Sequence, residues 1–135
     1  MKRQFPKQLK AKIDTVRKEY VRKRDYDWRG YGKCISCEAV GDFMDSGHYY
    51  SRRHDWTTEL GGDERNVNLQ CVPCNHYKRG NSQGYALGLT RKHGEGILEE
   101  LQRKYRTPKY WGLKALQTLL EEYQSKVKSI LNLYN

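Results

Sequence analysis

The sequence predicts an α+β fold, mostly helical, with a small stapled core of short strands between a basic amino-terminal helix and carboxy-terminal helices. Three observations predict it. Two matched Cys-x2-Cys pairs bracket the middle of the chain, apolar residues recur at helical spacing on both sides of them, and short apolar runs suited to strands lie between them. With 36% hydrophobic and 31% charged residues, the 135-residue chain can bury only a modest core, and so polar a domain commonly needs a staple.

The first element spans residues 6–24, where Leu9, Ile13, Val16 and Tyr20 fall at spacings of 4, 3 and 4 and form one apolar stripe on a basic rod. Residues 25–32 (DYDWRGYG) break the pattern with two glycines, and Trp28 and Tyr31 are expected to plug the core, with base-stacking platforms as the second reading. An extended pair is predicted over residues 40–50, an irregular polar loop over 51–62 and a second strand over 66–70. That strand runs into the second cysteine pair and a short helix from Asn75, which Gly80-Asn81 stops. Ser82 can cap a helix to about His93, with Gly94 as terminator, and residues 95–104 read as another helix before the Thr107-Pro108 turn. The last segment carries Leu113, Leu116, Leu120, Tyr123, Val127, Ile130 and Tyr134, spaced 3, 4, 3, 4, 3 and 4. Such a heptad seam either covers the core or pairs with a second copy. The organisation is thus a basic helix and linker (1–32), a central core (33–81) and a helical region (82–135).

The formal charge is +10, and residues 1–33 hold 12 basic against 4 acidic side chains, leaving 14 against 12 in the remainder. A positive end of this kind suits a polyanion: nucleic acid first, an anionic membrane surface second, with a merely solvated basic helix as the plain alternative. No apolar run is long enough to span a bilayer, and MKRQFPKQLKAK lacks the apolar stretch of a secretory signal. A cytoplasmic setting is therefore expected, where cysteines bind metal more often than they form disulfides.

Cys34-Ile-Ser-Cys37 and Cys71-Val-Pro-Cys74 are two knuckles separated by 33 residues. Each presents two thiolates on a tight turn, and together Cys34, Cys37, Cys71 and Cys74 close a tetrahedral, structural zinc site with no open position. Two disulfides or a redox pair are the alternative.

Between and beside the knuckles lie Asp45-Ser-Gly-His48, Asn68 and Asn75-His76. Hydrolysing a phosphodiester near neutral pH needs a base to activate water, a hard cation to stabilise the developing charge, and something to orient the base. His48 suits the first role. Asp45 and Asn75 offer oxygen ligands for Mg2+ or Mn2+, and Asn68 could fix the loop or the imidazole tautomer. Arg52, Arg53, Arg65, Lys78 and Arg79 cluster in sequence around these residues and could clamp phosphates. Asp42, Asp55 and Glu59 read as surface acids, and His54 and His93 as surface residues, with His54 possible near phosphate.

GHYYSRRH, followed by ERNVNLQCVPCN and RGN, resembles the phage NinG/Rap recombination family. More distantly, the order of knuckle, Asp/His, Asn, knuckle and Asn is similar to zinc-containing HNH nucleases such as the phage endonuclease VII resolvase. The likeness is strong over residues 34–81 and weaker through GYALGLTRKHGEGILEEL. It implies a zinc-stapled ββα-metal (HNH) core and a DNA endonuclease acting on branched recombination intermediates of the Holliday-junction or D-loop type. His48 would be the general base, Asn68 an orienting residue and Asn75 a ligand of a catalytic Mg2+ or Mn2+. His76 lies one position too late for the family's final histidine and ranks behind Asn75 as a ligand. The likeness further implies a homodimer, phage recombination proteins as partners and the host cytoplasm as location. One departure stands out: Gly47 occupies the position before the base, where many HNH enzymes carry a metal ligand. Residues 45 and 47 of a strand project to the same side, so Asp45 is expected to substitute. A general nicking or double-strand HNH nuclease and a non-catalytic zinc-knuckle nucleic-acid binder are the other readings.

Overall fold

The computed structural model describes residues 5–133, with side chains through residue 131. The first helix, α1 (Pro6–Asp25), opens with proline in its first turn, where a missing N–H leaves no bond unmade. It ends on Arg22, Lys23 and Arg24, whose charges complement the negative end of the helix dipole. Leu9, Ile13, Tyr20 and Val21 are buried along it. The last helix, α4 (Leu113–Leu133), lies against α1. Leu9, Ile13 and Tyr20 form one apolar cluster with Trp111, Leu116, Leu119, Leu120, Tyr123 and Val127. Much of the heptad seam is therefore covered from within the chain. Leu113, at the near end of the seam, stays exposed, and Tyr134 lies outside the described residues.

The strands between these helices are short and form two separate antiparallel pairs. β1 (Gly32–Lys33) pairs with β2 (Val40–Gly41), and β3 (Asp45–His48) pairs with β4 (Val67–Gln70) in the register Asp45↔Gln70 to His48↔Val67. The pairing expected within residues 40–50 is thus divided, because the first knuckle turns back within six residues and takes β2 for its own hairpin. Residues 51–62 are irregular but not loose. Two short 3-10 turns, Arg52–His54 and Glu59–Gly62, are capped by the hydroxyls of Ser51 and Thr58.

One face of the β3–β4 pair is apolar: Val67 and Leu69 pack with Val21, Met44, Cys34 and Cys74. The other carries the buried side chains of Asn68 and Gln70. Helix α2 (Ser82–His93) is capped one residue earlier than expected, since Asn81 Oδ1 accepts the Gly84 N–H at 3.3 Å. It stops at Gly94. At Gly88 a Cβ would lie 1.9 Å from the Ile35 carbonyl oxygen, so α2 rests its backbone directly on the first knuckle. Helix α3 (Ile97–Tyr105) completes a third cluster of Leu60, Tyr85, Leu89, Ile97 and Leu101. Among the described residues no helix is long and apolar enough to cross a membrane.

Two expectations about burial are corrected. Trp28 is 89% exposed and Tyr31 is 42% exposed, because the 27–31 turn folds outward while α4 fills the core they were expected to plug. Asp55, read as a surface acid, is 1% exposed.

Truncating the α1–α4 contact should show which of the two readings of the seam holds. Leu116→Ala is expected to destabilise the fold by about 2–5 kcal/mol, read from denaturant midpoints at unchanged slope. For the wild type those midpoints should not move with protein concentration. A midpoint that rises with concentration would mean that the seam is shared between copies.

Candidate functional site

The two knuckles meet. All four cysteines are free thiols, which sets aside the disulfide alternative, and their sulfur atoms lie within 4.8 Å of one another. Cys37 and Cys71 are 3.7 Å apart. For comparison, a zinc–sulfur bond of about 2.3 Å gives a tetrahedron edge of about 3.8 Å. Cys34 and Cys74 are buried, and Cys37 faces solvent. Burial pushes the Cys34 thiol up, but the N–H groups of Cys71, Cys37 and Ser36 more than offset it and bring it to about 7. At Cys71, burial and the neighbouring sulfurs push the thiol up to about 12. Four thiols this close cannot all ionise without a cation among them. The donor set and the spacing therefore fit a structural metal ion such as zinc.

Beyond the knuckles, β3 forms one wall of an open groove. Asp45, Ser46, Gly47 and His48 line it, with Lys18 and Arg22 from α1, Ser51 and Arg52 from the next turn, and Asn75 and His76. The last two are placed by a single wide, π-type helical turn, Pro73–Tyr77, closed by the Lys78 N–H on the Pro73 carbonyl at 3.0 Å. Extra residues in such turns commonly re-aim side chains at functional sites. Here Asp45 Oδ2 accepts the Asn75 Nδ2–H at 3.2 Å and lies 3.0 Å from His76 Nε2. Asp45, Asn75 and His76 thus come together. The buried Ser46 Oγ, in the same wall, has no hydrogen-bond partner among the described residues.

Gly47 is explained by its neighbour. A Cβ there would lie 2.1 Å from Gln70 Oε1, whose amide is held by Ser36 Oγ and the Gly80 carbonyl. No side chain fits before His48, and Asp45 is the acid of β3 that reaches Asn75 and His76.

His48 is oriented by a residue that sequence reasoning set aside. Its Nε2 lies 3.2 Å from Asp55 Oδ2, and the same oxygen accepts the Arg17 Nη2–H at 2.8 Å. Arg17 is itself buried in α1, and its Nη1 donates to the Gly61 carbonyl at 3.3 Å. Burial pushes the Asp55 carboxyl up, but His48 and Arg17 outweigh it and hold it below the usual carboxylate range. An anionic Asp55 accepts the proton on Nε2 and leaves Nδ1 of His48 as the free nitrogen. The only sequence signal for this arrangement was an arginine at i+4 from Ile13, within the buried stripe of α1.

Asn68 lies on the opposite face from His48 and does not touch the ring, which corrects the idea that it fixes the imidazole tautomer. Its Nδ2 donates to the Arg65 carbonyl at 2.8 Å and to Tyr85 Oη at 3.3 Å, while its Oδ1 accepts from Lys92 at 2.7 Å and Arg24 at 3.1 Å. The Tyr85 hydroxyl in turn donates to the Gly47 carbonyl at 2.6 Å. Asn68 therefore positions the loop before β4 directly and the backbone before His48 through Tyr85.

A family model described as "NinG: Bacteriophage Lambda NinG protein" matches residues 2–132, nearly the whole chain. This chain belongs to the NinG family. Protein ninG of Escherichia phage 933W is 32% identical over 114 residues, covering 84% of this chain and 53% of the relative. Protein ninG of Escherichia phage lambda is 32% identical over 114 residues, with 84% and 52% covered. That of Salmonella phage P22 is 32% identical over 112 residues, with 82% and 52% covered. The chain spans about half the length of the curated relatives it matches. No solved structure matches it.

The cations of this NinG-family chain divide into free and committed. Arg52 lines the groove, its guanidinium leaning on Asp14 at 2.9 Å, while Arg53, Lys78 and Arg79 are exposed but not among the residues that line it. Arg65 is not among them. It is clamped by Asp63 at 2.7 Å and Glu100 at 2.8 Å, a correction to its assignment as a phosphate contact. Lys18 and Arg22, which the sequence offered only as part of a basic helix, line the groove instead.

Two outcomes follow from these contacts. Purified protein should carry one zinc ion per chain by elemental analysis, and Cys34→Ser should lose both the metal and the cooperative unfolding of the central region. Asp55→Asn should cost about 1.5–3 kcal/mol at neutral pH, because it leaves Asp14 as the remaining carboxylate on buried Arg17. The folded-state value of Asp55 is depressed, so its contribution holds above about pH 4 and is lost as pH falls through that folded value. Urea unfolding at several pH values should show wild type and variant converging in acid. A gap that stays constant would mean that Asp55 is not the ionised partner.

Proposed function

We propose that this chain is a divalent-metal-dependent DNA endonuclease of the ββα-metal (HNH) type, directed at branched recombination intermediates. One observation carries the reading: a single open groove, rimmed by Lys18, Arg22 and Arg52, gathers a carboxylate-fixed imidazole and the Asp45–Asn75–His76 group. The order of parts, β3, β4 and the helical turn at Pro73–Tyr77, agrees with that type of site.

Asp45, the amide oxygen of Asn75 and the imidazole of His76 would hold a catalytic Mg2+ or Mn2+, a donor set suited to either ion. Such an ion supplies charge stabilisation at the phosphoryl oxygens and at the departing oxygen. The chain's own residues do the rest. Asp55 keeps the proton on Nε2, so Nδ1 of His48 takes a proton from water as the water oxygen bonds to phosphorus. The phosphorus–oxygen bond to the departing strand breaks, and that strand's oxygen takes a proton from solvent. His48 then returns its proton to solvent. Lys18, Arg22 and Arg52 hold flanking phosphates without reading bases. The thiolate-bound zinc takes no part beyond holding the second knuckle, and with it Asn75 and His76, against β3.

The test is incubation of the purified zinc-loaded chain with Holliday junction, flap, single-stranded and linear duplex DNA, in Mg2+, in Mn2+ or with neither added. Cleavage is expected only with metal and mainly on branched substrates. His48→Ala should lower it by about 10²–10⁴-fold while leaving DNA binding intact. Equal cutting of linear duplex would indicate a general nuclease, metal-dependent binding without cutting a non-catalytic module, and cleavage surviving in His48→Ala a misassigned base.

A further inference from the structure

Trp28 is 89% exposed at the tip of the turn that follows α1. The turn that displays it is firmly closed. Asp27 Oδ1 accepts the backbone N–H of Arg29 at 2.9 Å and of Tyr31 at 3.1 Å, and its Oδ2 accepts the Arg29 guanidinium at 2.8 Å. The Asp27 N–H also donates to the Tyr31 carbonyl at 2.8 Å. A large apolar ring held out in water by a braced turn adds nothing to the core. Beside it runs a shallow groove lined by Arg22, Lys23, Tyr26, Trp28, Ile130 and Leu131. Arg22 also lines the groove that holds His48. The two grooves therefore share a wall, and the shared side chain is a cation.

We propose that Trp28 is a stacking platform for an unpaired base of a DNA strand whose phosphates pass over Arg22 into the His48 groove. This rests on the reading of that groove as a DNA site, and it supplies a physical source for preference among substrates. Every base has a π-face, but in intact duplex those faces are already covered by neighbouring base pairs. Only a nucleotide at a branch, flap or fork offers one to the indole. Arg22 and Lys23 address the backbone, while the nearest acid, Asp27, is committed to Arg29 and its own turn. The charge beside the ring therefore favours a nucleic-acid strand over an apolar protein segment, which would use the indole and leave the cations unmatched.

The experiment uses the full zinc-loaded chain in Ca2+, with no Mg2+ or Mn2+ and no chelator, so that the zinc stays bound and cutting is suppressed. Affinity is measured by fluorescence anisotropy for a labelled fork with single-stranded arms and for a blunt duplex of the same length. Trp28→Ala is expected to weaken fork binding about tenfold or more and to change blunt-duplex binding less than about twofold, with Trp28→Phe retaining most of the fork affinity. Intrinsic fluorescence gives a second reading. Of the three tryptophans, Trp111 is buried and Trp56 half-buried, so quenching on fork binding should come from Trp28 and vanish in Trp28→Ala. Equal loss on both DNAs, no loss on either, or a wild type that does not distinguish fork from duplex overturns the proposal. Fork-selective loss in a chain that cuts nothing under any metal would sink the nuclease reading and leave this one standing. Cleavage with unchanged branch preference in Trp28→Ala would do the reverse, and a wild type that binds no DNA overturns both.

Discussion

The convergence of four sulfur atoms within 4.8 Å is the constraint on which the rest of the central region depends. The β3–β4 pair is only four residues long, far short of what holds a sheet together in water. Sequence-distant thiols tie the β1–β2 hairpin to the turn at Pro73–Tyr77, and β4 runs straight from its pairing with β3 into the second knuckle. A metal ion at that point ties the hairpin, the strand and the turn into one body. Gly88 lets α2 rest on the same knuckle, so the clamp also sets where Tyr85 sits and, through its hydroxyl, where the Gly47 carbonyl sits.

A second brace runs from the other side. Arg17 is a charged residue in the apolar stripe of α1, and its burial is tolerable because Asp55, Asp14 and the Gly61 carbonyl take its donors. The same pair holds His48. The helix that carries eight of the 26 basic side chains is thus bolted to the imidazole it faces, and α4 covers the back of that helix. The imidazole and the cations of α1 that line the groove are positioned by one element. Loss of the α1–α4 packing would be felt at the groove as well as in overall stability.

Much of this was legible in the residues. The helical spacings located α1, α2 and α4 to within a residue or two, and the matched knuckles announced a four-thiolate cluster. Asp45 was singled out as the acid able to replace one at position 47, and it reaches Asn75 and His76. What was not legible were contacts between residues far apart in sequence. Asp55 looked like one more polar loop residue, Asn68 like an orienting partner of His48, and Arg65 like a free cation. Alternation along β4 puts Asn68 on the face away from His48, but that follows only once the register with β3 is known.

The sequence by itself determined the class of fold, the position of its helices, the metal-binding cysteines and the family. These are set by local periodicity and by pairs of residues three apart, and such information survives without knowledge of packing. Tertiary structure decided which face of α4 is covered, which carboxylate holds the imidazole, which cations remain free and that Trp28 stands in water. Each depends on what lies across a contact of dozens of residues. A side chain's burial and charge are properties of its neighbours, and only the folded chain supplies them.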